Sequence, residues 1–182
     1  SSDNGAEVCR KKANEEGVDY ASQVYNPCFY QGTKTYIYEV YEQLGRVPKN
    51  ICVPRGNGTL FIGVIKDLEE LLSSDIISCR LSIYAVQSEY CDPFLQAVMN
   101  NSKEVDKAEV KKTLAEGIAI GKPMRAKEIL GYIYKHNVKV IAAPEHLIKE
   151  AQHDLALKGI YVEPTTAATL AAYQSYIHMN GT

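Results

Sequence analysis

Apolar residues recur along this chain in two rhythms, one helical and one extended. From Gly58 to about Leu72, the residues Leu60, Ile62, Val64, Ile65, Leu68, Leu71 and Leu72 return at mostly helical intervals. Tyr36, Ile37, Val40, Tyr41 and Leu44 make a second stripe, which predicts a helix over 32–44 stopped by Gly45. A polar, helix-favouring stretch over 5–17, with Val8 and Ala13 as sparse anchors, predicts a surface helix ended by Gly17. Further helices are predicted from Asp92-Pro93 through Met99, over 123–134, over 144–158 with Gly159 as its cap, and over 163–179, where alanine is frequent. Short β-rich runs at 50–53, 81–86 and 138–141 predict strands. Residues 20–25 predict a short extended segment, and Asn26-Pro27 breaks it. Lysines, glutamates and an aspartate crowd 100–112, which predicts a solvated loop or surface helix.

Strands alternating with helices predict an α/β fold, a largely parallel sheet flanked by helices. In such sheets ligands sit beyond the carboxyl ends of the strands. The loops after Val53 and after Val86 are therefore expected on the ligand side.

Composition narrows the partners. A net charge of −2 over 182 residues gives no electrostatic case for nucleic acid or an anionic membrane, and no apolar run approaches a membrane span. The first residues, Ser1-Ser2-Asp3-Asn4, have no signal-peptide character. Five cysteines (Cys9, Cys28, Cys52, Cys79, Cys91) without a C-x-x-C pair are expected as reduced thiols of a cytoplasmic protein. His146 and His153 lie seven residues apart, too far for a simple chelate pair, and no metal ligand set is assigned.

The stretch Val53-Pro54-Arg55-Gly56-Asn57-Gly58-Thr59 carries the chemistry. Strand, glycine-rich turn and helix follow one another, which gathers free backbone N–H groups at the positive end of a helix dipole. Gly56 and Gly58 allow close approach and positive φ, Asn57 tolerates the left-handed region, and Thr59 offers a hydroxyl near the helix start. A phosphate or carboxylate suits this place. The dinucleotide fingerprint fails because Phe61 stands where its third glycine belongs, and the Walker loop fails because Val64-Ile65 follow Gly63. On local grounds an ordinary βα turn without ligand stays open beside the anion site.

Several strings in one order go further: Asn26-Pro27; Gln31-Gly32-Thr33-Lys34-Thr35; Tyr38-Glu39 and Glu42-Gln43-Leu44; Val53-Pro54-x-Gly56-Asn57-Gly58; Ala85-Val86-Gln87-x-Glu89 with Pro93; Thr113-Leu114-Ala115-Glu116-Gly117-Ile118-Ala119 before Pro123-x-Arg125; and Gly159-Ile160-Tyr161-Val162-Glu163-Pro164-Thr165-Thr166-Ala167. This series resembles the C-terminal half of the fold type II pyridoxal-phosphate enzymes, with threonine synthase nearest among them. The resemblance runs from about Tyr20 to Tyr173. It implies a partial pyridoxal-phosphate-binding large domain over 20–182, with 1–19 as surface helix and lead-in. It implies that Gly56, Asn57, Gly58 and Thr59 cradle the cofactor phosphate, and that Glu116 and Glu163 line the cofactor-facing side. Helix capping is the competing role for both carboxylates, since Glu163 directly precedes Pro164.

Departures from the family pattern matter equally. The Ser-x-Lys-like string that carries the family's Schiff-base lysine is absent, so no catalytic residue is assigned here. Lys34 and Lys66 lack neighbours of the kind that activate a lysine. The chain closes at Asn180-Gly181-Thr182, ahead of the last strand that the resemblance implies. Leu60 stands where threonine synthases tend to place an asparagine for the substrate phosphate. The expectation is thus a fragment or half-chain of a threonine synthase-like lyase acting on an amino acid, as a homodimer or paired with the missing N-terminal half. Two alternatives accompany it: a non-catalytic phosphate-ligand-binding or regulatory domain, and a structural subunit of a split enzyme.

Overall fold

The computed structural model describes residues 2–15, 21–78 and 81–181. Three parallel strands, β1 (Asn50–Pro54), β2 (Ser82–Ser88) and β3 (Lys139–Ala143), lie side by side in that order. Ile51 sits opposite Ile83 and Val53 opposite Ala85, while Ala85 faces Val140 on its other side. The helices are α1 (Ser2–Ala13), α2 (Pro27–Leu44), α3 (Thr59–Ser73), α4 (Pro93–Met99), α5 (Ala126–Lys135), α6 (Glu145–Leu157) and α7 (Pro164–Asn180). A single 3₁₀ turn, Glu116–Ile118, interrupts the irregular stretch between α4 and α5. No helix among the described residues is long and apolar enough to cross a membrane.

Side chains of the strands alternate between two cores, as the pleat requires. Ile51, Val53, Ile83, Ala85 and Val140 join Ile37 of α2, Phe61, Ile62 and Ile65 of α3, Phe94 of α4 and Ile129 of α5. On the opposite face Tyr84, Val86, Ile141 and Ala143 meet Ile148 of α6 and Ala167, Ala168 and Ala172 of α7. Both faces are covered, which is why the strands read as nearly continuous apolar runs. On the α7 side the Tyr84 ring meets Tyr173 edge-on at 5.2 Å and Tyr176 at 5.4 Å, and Asn50 Nδ2 donates to the Tyr173 hydroxyl at 3.0 Å. This is the expected α/β architecture.

Local chemistry revises some boundaries. Residues 21–25 contain a turn over 23–25 instead of an extended segment, and Tyr20 lies outside the described residues. The cause is Ser22: its hydroxyl accepts from Val24 N, and its carbonyl accepts from Tyr25 N and Asn26 N. Asn26-Pro27, expected only to break the extended segment, also starts a helix. Asn26 Oδ1 accepts from Cys28 N at 2.9 Å and Pro27 occupies the first turn, so α2 begins five residues before Gly32. Gly45 ends α2 at φ 64°. Helix α1 stops at Ala13, and the predicted stop at Gly17 falls outside the described residues, as does Cys79. The charged stretch 102–112 holds neither helix nor strand.

Candidate functional site

Because the strands are parallel, their carboxyl ends converge on one side of the sheet. β1 ends at Pro54, and Arg55 N extends the ladder by donating to Val86 O at 2.8 Å. The chain then turns through residues 56–58 into α3. Gly58 takes φ 83°, and a Cβ there would come within 2.4 Å of Ile129 Cδ1. Glycine is therefore required twice over, by the left-handed backbone and by α5 packing against it. Gly58 O accepts from Ile62 N at 2.9 Å, which starts the helix. The six consecutive backbone N–H groups of residues 56–61 donate to nothing among the described residues. The first helical N–H groups have no partner inside a helix, and their dipole adds partial positive charge at this point. The side chains of Asn57 and Thr59 likewise form no hydrogen bond with the described residues, while Thr59 O accepts from Thr33 Oγ1 at 3.4 Å.

Two other segments pack behind this loop. A Cβ on Gly56 would lie 2.7 Å from Gly117 O, and one on Gly117 would lie 2.9 Å from Thr165 Oγ1. The glycine loop, the 3₁₀ turn and the start of α7 are thus stacked in close succession. Glu116 opens the 3₁₀ turn and Glu163 occupies the N-cap position of α7, both exposed. The Glu163 carboxylate makes no capping bond; its carbonyl accepts from Thr166 N and Ala167 N at 3.1 Å. All six residues singled out in the sequence therefore sit in three adjoining segments.

Sequence reasoning missed the groups that hold these segments. Glu145, at the start of α6, accepts from Thr113 Oγ1 and from Leu114 N at 2.6 Å each. Thr113 Oγ1 accepts from Ser88 Oγ at 3.1 Å, and Glu89 Oε1 accepts from Glu145 N at 2.6 Å. The network ties the segment leading to the 3₁₀ turn onto the ends of β2 and β3. Gln87 Oε1 accepts from Phe94 N and Leu95 N at 3.0 Å, fixing the start of α4. Arg55 is the second omission. It is fully buried, its guanidinium lies 3.1 Å from the Phe94 ring centroid, and none of its three side-chain nitrogens has a hydrogen-bond partner among the described residues. The signal for it was a lone charge between an apolar strand and a glycine turn.

Cys9, Cys28, Cys52 and Cys91 form no disulfide among the described residues, and burial pushes the Cys52 thiol up to about 11. Lys34 pairs with Glu70 of α3. A cavity of about 490 Å³, floored by Leu68, Leu72, Leu81 and Ile83 and edged by Lys135 and His136, opens at the other end of the sheet, beside the start of β2. It does not adjoin the glycine loop.

Comparison with known proteins matches residues 1–180 to a family model described as pyridoxal-phosphate dependent enzyme. The threonine synthase of Methanocaldococcus jannaschii is 30% identical over 169 residues, which cover 92% of this chain and 42% of that protein. The threonine synthase of Methanosarcina acetivorans is 28% identical over 179 residues, covering 97% and 44%. Among solved structures, a fungal L-serine ammonia-lyase from Rhizomucor miehei superposes with a TM-score of 0.75 at 23% identity, over 97% of this chain and 54% of that one. A serine racemase from Dictyostelium discoideum gives 0.68 at 20% identity, over 94% and 50%. These structures share the fold. The chain spans somewhat less than half the length of the curated relatives it matches.

Proposed function

We infer, because the chain belongs to the pyridoxal-phosphate-dependent enzyme family, that its β1–α3 loop grips the cofactor phosphate of a threonine synthase-like lyase acting on an amino acid. The observation that carries this is the run of six backbone N–H groups over 56–61, at the start of α3, that donate to none of the described residues. A dianion with several acceptor oxygens fits such a run, and the helix dipole favours it. The groups present fit a phosphate in a second respect, since a buried guanidinium with no hydrogen-bond partner among the described residues, that of Arg55, directly precedes the loop.

Pyridoxal phosphate, when bound, supplies an electron sink that makes bonds at an amino acid's α-carbon labile. The chain's own residues bind and orient. Backbone N–H groups of residues 56–61 hold the phosphate, and Asn57 and Thr59 add side-chain hydrogen bonds. Glu116 and Glu163 present carboxylates from the two segments stacked behind the loop. Gly117 and Thr165 keep those segments close. The lysine that binds the cofactor covalently, and the contacts to the amino-acid substrate, belong in this reading to the rest of the enzyme, either from the same protein or from a pairing subunit.

Amide NMR of the 182-residue chain tests the assignment. Inorganic phosphate and pyridoxal phosphate are expected to shift the amides of residues 56–61, and pyridoxal without its phosphate is not. A Thr59→Ala variant should weaken phosphate binding by about 1 kcal/mol or less, and Gly58→Val by more, because it moves the backbone receptor. Shifts confined to other parts of the molecule, or a Gly58→Val variant that binds like the wild type, would overturn it. Phosphate shifts unaccompanied by any additional effect of the pyridoxal ring would favour a phosphate-ligand-binding domain over a lyase.

A further inference from the structure

Arg55 combines complete burial with a guanidinium whose Nε, Nη1 and Nη2 have no hydrogen-bond partner among the described residues. Such a group is costly, and in a native structure it calls for a cause. Phe94 offers the face of its ring, which attracts the cation but leaves the in-plane N–H groups unmet. No carboxylate forms an ion pair with it among the described residues, and Cys91 is the ionisable neighbour whose charge acts on it. A phosphate arrives already charged, at the N–H groups that begin with the very next residue.

We propose that Arg55 is the buried countercharge for the anion held at residues 56–61, strengthening the hold on a phosphate dianion from inside the protein. This rests on the phosphate-binding reading of the loop. It adds a residue that neither the glycine pattern nor the helix start supplies, and it makes the site selective for doubly charged over singly charged ligands. Covalent reach keeps the guanidinium within on the order of 10 Å of an anion on the next residues' N–H groups, and at that distance and an effective dielectric of about 20 each charge of the anion changes the affinity roughly tenfold.

The experiment is a phosphate titration of the full chain, followed at the loop amides, for the wild type, R55M and R55K, with the melting temperature of each ligand-free protein measured alongside. Methionine fills the buried space without charge. R55M should bind inorganic phosphate at least about tenfold more weakly, and more so at pH 8, where the dianion prevails, than at pH 6, while its ligand-free melting temperature holds or rises, because a buried charge without an ion-pair partner has been removed. R55K should keep part of the affinity. Loss of affinity without loss of stability is an outcome a merely structural arginine would not give. R55M binding as tightly as the wild type overturns the role of Arg55 and leaves the loop assignment standing. Wild-type protein with silent loop amides overturns both. Should R55M fail to fold, the Arg55 side-chain Nε resonance of the wild type decides: a shift on adding phosphate supports the role, and an unmoved resonance ends it.

Discussion

Asp67 shows how one buried carboxylate makes stability depend on pH. It lies on α3, wholly buried against α2. Its Oδ2 accepts from Ile37 N at 3.2 Å and its Oδ1 has no hydrogen-bond partner among the described residues. Burial pushes the carboxyl up to about 7, against smaller opposing effects of the Ile37 N–H and the Lys34 ammonium; Glu70 adds a further push upward. The folded state therefore keeps a proton that the unfolded chain releases near pH 4. The stabilisation is fully present below that pH and is lost as pH rises through about 7. Each unit of such a shift is worth about 1.4 kcal/mol. Asp67→Asn keeps an acceptor for Ile37 N and cannot ionise. Its urea midpoint should exceed that of the wild type at pH 8 and vary less between pH 5 and pH 8. A variant weaker than wild type at pH 8 would refute this. Neither Asp67, set among Lys66, Glu69 and Glu70, nor Arg55, set between Pro54 and Gly56, was legible as a buried charge, because local sequence leaves the burial of a single side chain to tertiary packing.

At the scale of elements, the strands and most helices were legible because their apolar spacing follows the geometry of the core they fill. α3 carries its stripe into the α2–sheet side, and β2 is buried along nearly its whole length. What could not be read were features made by long-range hydrogen bonds. Glu145 looks like a first-turn acidic residue of α6, yet its two oxygens bind Thr113 Oγ1 and Leu114 N, some thirty residues upstream. Replacing it with alanine strands two donors that now face a charged acceptor, and the expected loss is roughly 2–4 kcal/mol in urea denaturation. Amide exchange at Leu114 should accelerate more than at Ile62, and Glu145→Gln should lose less. Leu114 exchange at the wild-type rate in the alanine variant would show that the 3₁₀ turn is held by packing alone. The grouping of Gly56 with Glu116 and Glu163 was anticipated only through family resemblance. Nothing in the local spacing announces that Gly117 stacks between Gly56 and Thr165.

Taken whole, the molecule is a sheet between two cores, and the second core depends on α7. Ala167, Ala168, Ala171 and Ala172 are buried, and their small side chains let the helix lie close upon β1, β2 and β3. Ala168→Leu should cost about 1–3 kcal/mol by overpacking, whereas Gln174→Leu on the exposed side should stay within about 0.5 kcal/mol. Equal costs at the two positions would mean that α7 is not seated as described. The frequency of alanine in this segment was visible in the sequence, but which side of the sheet it would cover was not, since a helix of alanines presents no single stripe. The position of α7 in chain order also shapes how the protein is made. All three strands leave the ribosome before α7, so their Tyr84, Val86 and Ile141 side is covered only in part, by Ala115, Ile118 and Ile148, while synthesis continues. For that interval the nascent chain is a half-dressed sheet, adhesive to chaperones and to its own copies, and the pace of translation through residues 144–180 becomes a determinant of yield.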